Sequence, residues 1–444
     1  MKVVFAVSTV FHIEHLKRIY RQWDKAEFLL FSAKDRDAAG QMAAHLERTG
    51  CRGRHIADFL ASKDRADVMF SVYWQPAFLV MGPETMHVRI MYGYAKDEWN
   101  YADWNGNYDL IFAYGPYAEE RLKRHAPCIS VGHPRDPGPD RAPVHPGGKP
   151  AGGGRPVLLY CPTYGEMSSL PDMDRMLPAL AERFEVVVKL HHASQADHYP
   201  CLTRLAAESR IRLCDQSVDL FGLLPACDLV VSDHSGAIFD AMLMEKPIVL
   251  VDSKAMKGRI QAELGLDAAS LDIKVRRMLP HFEAEDLVDG IRHALKHPPA
   301  YGPFLDTLYA GIGTDVPGRI RDETTARFRR FSGANRQREL FERLVRFVEQ
   351  DGRELVILGA GDFGQAVMQL CKTRGFGRIR FIDGDPAKHG REIEGSPVDP
   401  PGRMDGLAPS KQKCLVATVG GASSYEERLK RIGFVSGRDY IKVF

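Results

Sequence analysis

Cys227-Asp-Leu-Val-Val-Ser-Asp-His-Ser-Gly-Ala-Ile-Phe-Asp240 is the stretch on which the fold turns. Its first half holds Leu229-Val-Val-Ser232, short, apolar and β-branched, as in a strand buried on both faces. Its second half sets Ser235 and Gly236 ahead of a helical apolar pattern, which marks a helix start. Strand, polar turn and helix in that order make half of a parallel βαβ unit. The same grammar repeats on either side. Val157–Tyr160, Val186–Leu190 and Ile248–Val251 read as strands, and Asp172–Arg183, Ser235–Met244 and Ala284–Lys296 as helices. Nearer the N-terminus, Val3–Val7 reads as a strand and Glu14–Trp23 as its helix, followed by strands at Phe28–Phe31, Val68–Val72, Val88–Met91 and Leu110–Ala113. Alternation of this kind predicts an α/β chain of parallel sheets with crossover helices.

The chain of 444 residues is long enough for two to four such domains. Hydrophobic residues at 44% and charged residues at 27% exclude a disordered, collagenous or coiled-coil chain. A net charge of only +2 gives no basic surface for nucleic acid, so no nucleic-acid partner is expected. The eight cysteines show no CxxC spacing, hence neither a zinc knuckle nor a disulfide framework. Met1–Phe11 is apolar but too short to span a bilayer, and no segment reaches 18 apolar residues, which points to a cytoplasmic protein. Pro134–Pro156 is rich in proline and glycine and reads as a linker. The expected organisation is therefore residues 1–134, a linker over 135–156, a second unit over 157–330, a connecting helix over 331–352 and a small third unit over 353–444.

In open parallel sheets, ligands lie beyond the carboxyl ends of the strands. Three consecutive strand ends of the second unit present Thr163, His191 and the turn Asp233–Gly236. Taken singly, Ser235 is a helix cap and His191 a strand-end histidine. Together on one sheet edge they mark an anion site, because backbone amides, a hydroxyl and an imidazole all donate toward phosphate oxygens. His12-Ile-Glu-His15 has two histidines three residues apart and no further ligands, so no metal site is expected.

These residues carry a resemblance. "LLYCPTYGE", "VVVKLHH" and "LLPACDLVVSDHSGAIFDAMLMEKPIVLVD" resemble the A-P-T-W, K-L-H-P and D-Y-S-S-x-x-F-D motifs of the CDP-glycerol glycerophosphotransferases of teichoic-acid and capsule polymer synthesis. Val131-Gly-His-Pro-Arg135-Asp is similar to that family's G-Y-P-R-N-D. The resemblance spans about residues 70–330. It implies a GT-B fold, two Rossmann-like units facing across a cleft, with the acceptor on the N-terminal unit and the nucleotide donor on the second. It also implies that Thr163, His191, Ser235, Gly236 and Arg135 hold the donor diphosphate, that Asp233 shapes the turn and Asp240 its helix, and that transfer needs no metal. The family's catalytic histidine, in W-H-G-T-P-L-K, falls on Tyr92 of Ile90-Met-Tyr-Gly-Tyr-Ala-Lys-Asp97. A phenol, with an ordinary pKa near 10, is a poor base at neutral pH. The catalytic candidates are thus Tyr92 itself, Asp97, His12 and His15.

The third unit opens with Leu355-Val-Ile-Leu-Gly359-Ala-Gly361-Asp-Phe-Gly364, a strand, a G-x-G-x-x-G and a helix. Asp383 ends the next strand, where a ribose-binding acid belongs. The run "FIDGDPAKHGREIEGSPV" resembles small Rossmann modules of nucleotide-sugar-modifying enzymes and sugar acyltransferases, implying NAD, a nucleotide sugar or no retained ligand. Tyr425 and Lys430 miss the YxxxK spacing, so no redox reaction is expected there.

The expected whole is a GT-B-like pair with a small C-terminal Rossmann-like domain. It would move a glycerol-phosphate-like group from a CDP-activated donor to a hydroxyl of a surface-polymer, polyol or lipid-linked acceptor, with peripheral association at the inner face of the membrane. The alternatives are an NDP-sugar glycosyltransferase, a nucleotide-sugar epimerase, or a nucleotide-binding protein that has lost catalysis.

Overall fold

The computed structural model describes residues 1–31, 36–94, 97–137, 154–191, 194, 196–214, 218–253, 271–298, 300–349, 352–373, 375–418 and 421–443. The chain forms three sheets. The first is wholly parallel and contains β1 (Val3–Val7), β2 (Glu27–Leu30), β3 (Gly53–His55), β4 (Val68–Ser71), β5 (Met86–Ile90), β6 (Leu110–Ala113) and β7 (Cys128–Ser130), in the order β3-β2-β1-β4-β5-β6-β7. The second, also parallel, contains β8 (Val157–Cys161), β9 (Glu185–Val188), β10 (Arg212–Leu213), β11 (Leu229–Ser232), β12 (Ile248–Val251) and β13 (His281–Phe282), in the order β10-β9-β8-β11-β12-β13. The third contains β14 (Glu354–Leu358), β15 (Ile379–Ile382), β16 (Glu392–Ile393), β17 (Ser396–Asp399), β18 (Gln412–Val416) and β19 (Tyr440–Lys442), in the order β16-β17-β15-β14-β18-β19. Only the β16–β17 pair there is antiparallel. Each order reverses beside its first strand, which opens the crevice where α/β sheets bind ligands. Two Rossmann-like units meet, and a third is attached.

Central strands match their expected positions because they are continuous apolar runs. The edge strands β3, β7, β10 and β13 have only two or three residues each, too short to leave a periodic signal. The first helix spans Val10–Tyr20 and begins four residues before the expected Glu14. Val10 and Phe11 extend the apolar run of β1, but the Thr9 hydroxyl accepts from the His12 amide and caps a helix there.

Packing redraws two boundaries. Helix Val316–Phe328 falls within the expected second unit, yet Val316 and Ile320 are buried with Val3, Phe5, Ile13 and Leu16 of the first. Helix Gln337–Glu349 is more than a connector, since Leu344, Phe347 and Val348 belong to the core of the third unit. In the Pro/Gly linker, residues 138–153 lie outside the described residues. The third unit is pinned to the first by Phe363, which packs 5.2 Å from the fully buried Trp74. All eight cysteines are reduced. Among the described residues, no helix is long and apolar enough to cross a membrane.

His87 on β5 is fully buried, and neither ring nitrogen has a hydrogen-bond partner. Burial drops its pKa from 6.5 to about 3, and burial with Arg135 nearby does the same to His15. The unfolded chain therefore binds these protons below pH 6.5 while the native state refuses them. Stability falls as pH drops from 6.5 toward 3, by about 1.4 kcal/mol per pH unit for each histidine. Replacing His87→Leu removes one such group and an unsatisfied imidazole. Thermal melts at pH 7.5 and 5 should show a variant more stable by about 1–3 kcal/mol, with a shallower loss on acidification.

Candidate functional site

Asp233, directly after β11, organises the strand ends of the second sheet. It is fully buried and accepts four hydrogen bonds: from the Thr163 amide (2.8 Å), the His234 amide (2.6 Å), the Ser169 amide (2.8 Å) and the Ser169 hydroxyl (2.9 Å). Burial lifts its pKa while the four donors pull it back. Its carboxylate is spent on shaping the turns, so it does not itself face a diphosphate. Helix Ala237–Leu243 starts two residues later than expected, with Gly236 at its cap and the Ser235 hydroxyl accepting from the Ala237 amide (3.3 Å). His191 stacks on the half-exposed Tyr164, with ring centroids 4.3 Å apart. Thr163, His191 and Ser235 thus stand at neighbouring strand ends of one sheet, as β8, β9 and β11 are arranged.

The carboxyl ends of the first sheet face them. Lys189, after β9, lies over the ring of Phe11 at 5.1 Å, and Tyr94 packs 5.4 Å from Phe239. On this side His12 and His15 are both buried and project from one helix toward different partners. The Ser8 amide donates to His12 Nδ1 (3.2 Å), so the neutral ring carries its proton on Nε2 and donates to the Tyr73 hydroxyl at 2.7 Å. His15 Nε2 donates to the Met91 carbonyl at 2.8 Å, and the ring is held neutral. Tyr92 stands edge-on to His12 (5.3 Å) and His15 (5.0 Å). Burial pushes its phenol further up, so the position expected to hold a base holds an aromatic wall. The Asp97 side chain lies outside the described residues.

The two units meet at His133 and Asp240. The Arg135 amide donates to His133 Nδ1 (3.1 Å), which leaves the Nε2 proton facing Asp240 Oδ1 at 3.5 Å. Burial holds His133 well below its ordinary pKa. Burial, with Asp219 adding and Arg135 opposing, raises Asp240 to about 7. The Arg135 guanidinium pairs with Asp219 and lies over Phe221 at 4.2 Å, both in the second unit. It is a clamp between units more than an open phosphate hook. Asp240, read from sequence only as a helix residue, becomes the carboxyl best tuned for proton transfer near neutral pH. His133 lay in plain view in Val131-Gly-His-Pro, but only the fold sets it against Asp240.

In the third unit, Gly359 adopts φ +107° and a Cβ on Gly364 would lie 1.8 Å from the Gly359 carbonyl oxygen, so both are structural. Gly361 has open space around its Cα and fronts a cavity of about 640 Å³. Asp383 reaches back to the glycine loop, Oδ2 accepting from the Ala360 amide at 2.5 Å. Its Oδ1 accepts from the Asp385 amide (2.8 Å) and Lys388 (3.3 Å), so little of it remains for a ribose.

Residues 148–257 match the family model described as CDP-Glycerol:Poly(glycerophosphate) glycerophosphotransferase. Over these residues the family resemblance holds. The matched segment contains Thr163, His191, Asp233, Ser235, Gly236 and Asp240. No curated protein matches the chain. Solved structures of similar shape include the wall teichoic acid polymerase TagF, with 14% identity and a TM-score of 0.49 over 74% of this chain and 89% of that one. HepE from Anabaena, in complex with UDP and glucose, has 13% identity and a TM-score of 0.43 over 73% and 99%. A UDP-N-acetylglucosamine 2-epimerase has 13% identity and a TM-score of 0.45 over 75% and 97%.

Asp233→Ala removes the acceptor of the Thr163, Ser169 and His234 amides at once, while the Ser169 hydroxyl keeps the Tyr160 hydroxyl as a partner. Chemical denaturation should show a loss of about 3 kcal/mol or more.

Proposed function

We propose that the protein is a GT-B transferase that moves a glycerol-phosphate-like polyol phosphate from a CDP-activated donor to a hydroxyl of a surface polymer or lipid-linked acceptor. The observation that carries this reading is the juxtaposition of Thr163, His191 and Ser235 at neighbouring strand ends within the matched residues 148–257. Asp240, raised to about 7 by burial, faces His133 across the unit junction one turn along the helix that starts beside Ser235. The donor diphosphate lies against Ser235, Thr163 and His191. The acceptor enters from the side of Tyr73 and His12.

Asp240 takes the proton of the attacking hydroxyl as the new O–P bond forms on the polyol phosphorus. The bridging P–O bond breaks and CMP leaves with its negative charge facing the Ser235 hydroxyl and the His191 ring. Positioning and electrostatics supply most of the acceleration in such a transfer. Neutral His133 donates toward Asp240 and holds it in place, and Arg135 restrains its pKa from rising further. A lipid-linked acceptor would bring the protein to the inner membrane face.

Purified protein offered CDP-glycerol, other CDP-polyols and UDP-sugars with polyol or glycan acceptors should release CMP from a CDP-polyol. Release of NDP from a sugar donor, or no turnover with any donor, would remove the reading. Ser235→Ala should weaken the reaction by about tenfold or more. Asp240→Asn should lower kcat by about a hundredfold or more while leaving KM within a few-fold. Because the base must be ionised, wild-type kcat should rise with pH through about 7, and this limb should vanish in Asp240→Asn.

A further inference from the structure

The cavity of the third unit is walled by more than that unit. Its lining includes Gly361, Asp383, Lys388, Tyr425 and Arg428, and also Trp99 of the first unit. Trp99 is 37% exposed, one of few large apolar side chains so open to solvent. Its ring meets Tyr73 at 6.4 Å and Trp104 at 5.9 Å, both inclined to it, so neither stacks flat on the indole. The wall is fixed in place, because Trp74 and Phe363 pack the two units together beside it.

We propose that this cavity is a second nucleotide site, taking a nucleoside diphosphate or its ester, with the base stacked on Trp99 across the unit junction. About 640 Å³ suits a ligand of that size. An exposed indole on a cavity wall offers a π-face that any base can use. Gly361 leaves the backbone bare for a diphosphate, and helices Asp362–Thr373 and Ala422–Arg431 both begin at the cavity. Lys388, paired with Asp383 and Asp385, and Arg428, paired with Asp405, also line the cavity.

The same geometry leaves little of Asp383 for a ribose diol, so the base and the diphosphate carry the binding. Holding a ribose diol takes one acceptor position on each oxygen of a carboxylate. Asp383 Oδ1 already accepts from the Asp385 amide and Lys388, and Oδ2 from the Ala360 amide. Its role is to brace the glycine loop. The ligand would lie two side chains from His12, through Trp99 and Tyr73, yet its binding does not depend on the transfer reading.

The test is calorimetry and tryptophan fluorescence on the full chain with ADP, CDP, UDP, UDP-N-acetylglucosamine and NAD. At least one nucleoside diphosphate or its sugar ester should bind with a Kd below about 1 mM and quench fluorescence. Gly361→Leu projects into the cavity without meeting protein atoms, and should weaken that binding at least about thirtyfold while leaving the melting temperature unchanged. Trp99→Ala should weaken it about tenfold and abolish the quench. A nucleotide bound at the Ser235 site instead would be untouched by both variants, and that result overturns the proposal. So does an absence of binding by every nucleotide.

Discussion

Everything in the arrangement of this protein depends on how closely two passes of the chain approach each other between the first two units. Gly132 sits at φ +102°, and a Cβ there would lie 2.4 Å from the carbonyl oxygen of Ala310. The Ala310 amide in turn donates to the Tyr114 carbonyl at 2.8 Å. The buried Asp136 carboxylate accepts from the Gly313 amide at 2.8 Å, and Arg18 donates to the Asp136 carbonyl. Helix Val316–Phe328 then returns to the first core. The outgoing and returning strands are thus stitched to each other and to the first sheet. With both passes fixed, the carboxyl edges of the two sheets have little choice but to face.

That facing gives two carboxylates of one short segment opposite fates. Asp233 and Asp240 are seven residues apart in sequence, and burial raises both. Asp233 meets four donors within its own unit and is consumed by them. Asp240 meets one neutral imidazole at 3.5 Å and an arginine already paired elsewhere. A carboxyl fully supplied with donors is a structural brace, whereas one left short of them is poised to exchange a proton. The aromatic side chains of the first unit follow the same logic. Tyr92, Tyr114 and His15 fill the floor so closely that none titrates near neutral pH.

Much of this was legible in the sequence where the signal is local. The apolar runs of β1, β4, β6, β8, β11, β12, β14 and β15 are continuous because both faces of those strands are covered. The Ser235 cap announces itself through its hydroxyl ahead of an apolar helix, and the loop at Gly359 through a backbone shape, φ +107°, that few residues but glycine adopt. The edge strands were not legible, since two or three residues carry no period. Nor was the home of Val316–Phe328, whose few apolar positions fit either neighbouring unit equally well. The Tyr92 departure was visible, but not that burial would lift the phenol further.

What the sequence by itself determined is the grammar: three α/β units, the strand ends that carry Thr163, His191 and Ser235, and the similarity of residues 148–257 to the glycerophosphotransferase model. What only the tertiary structure decided is which groups meet. His133 against Asp240, Arg135 against Asp219 and Trp99 against the third unit's cavity each join residues from different units. Local pattern fixes backbone conformation because the hydrogen bonds and steric limits involved span a few residues. Charge state and ligand contact are set by burial and by partners more than a hundred residues away in the case of His133 and Asp240, and no window along the chain contains both.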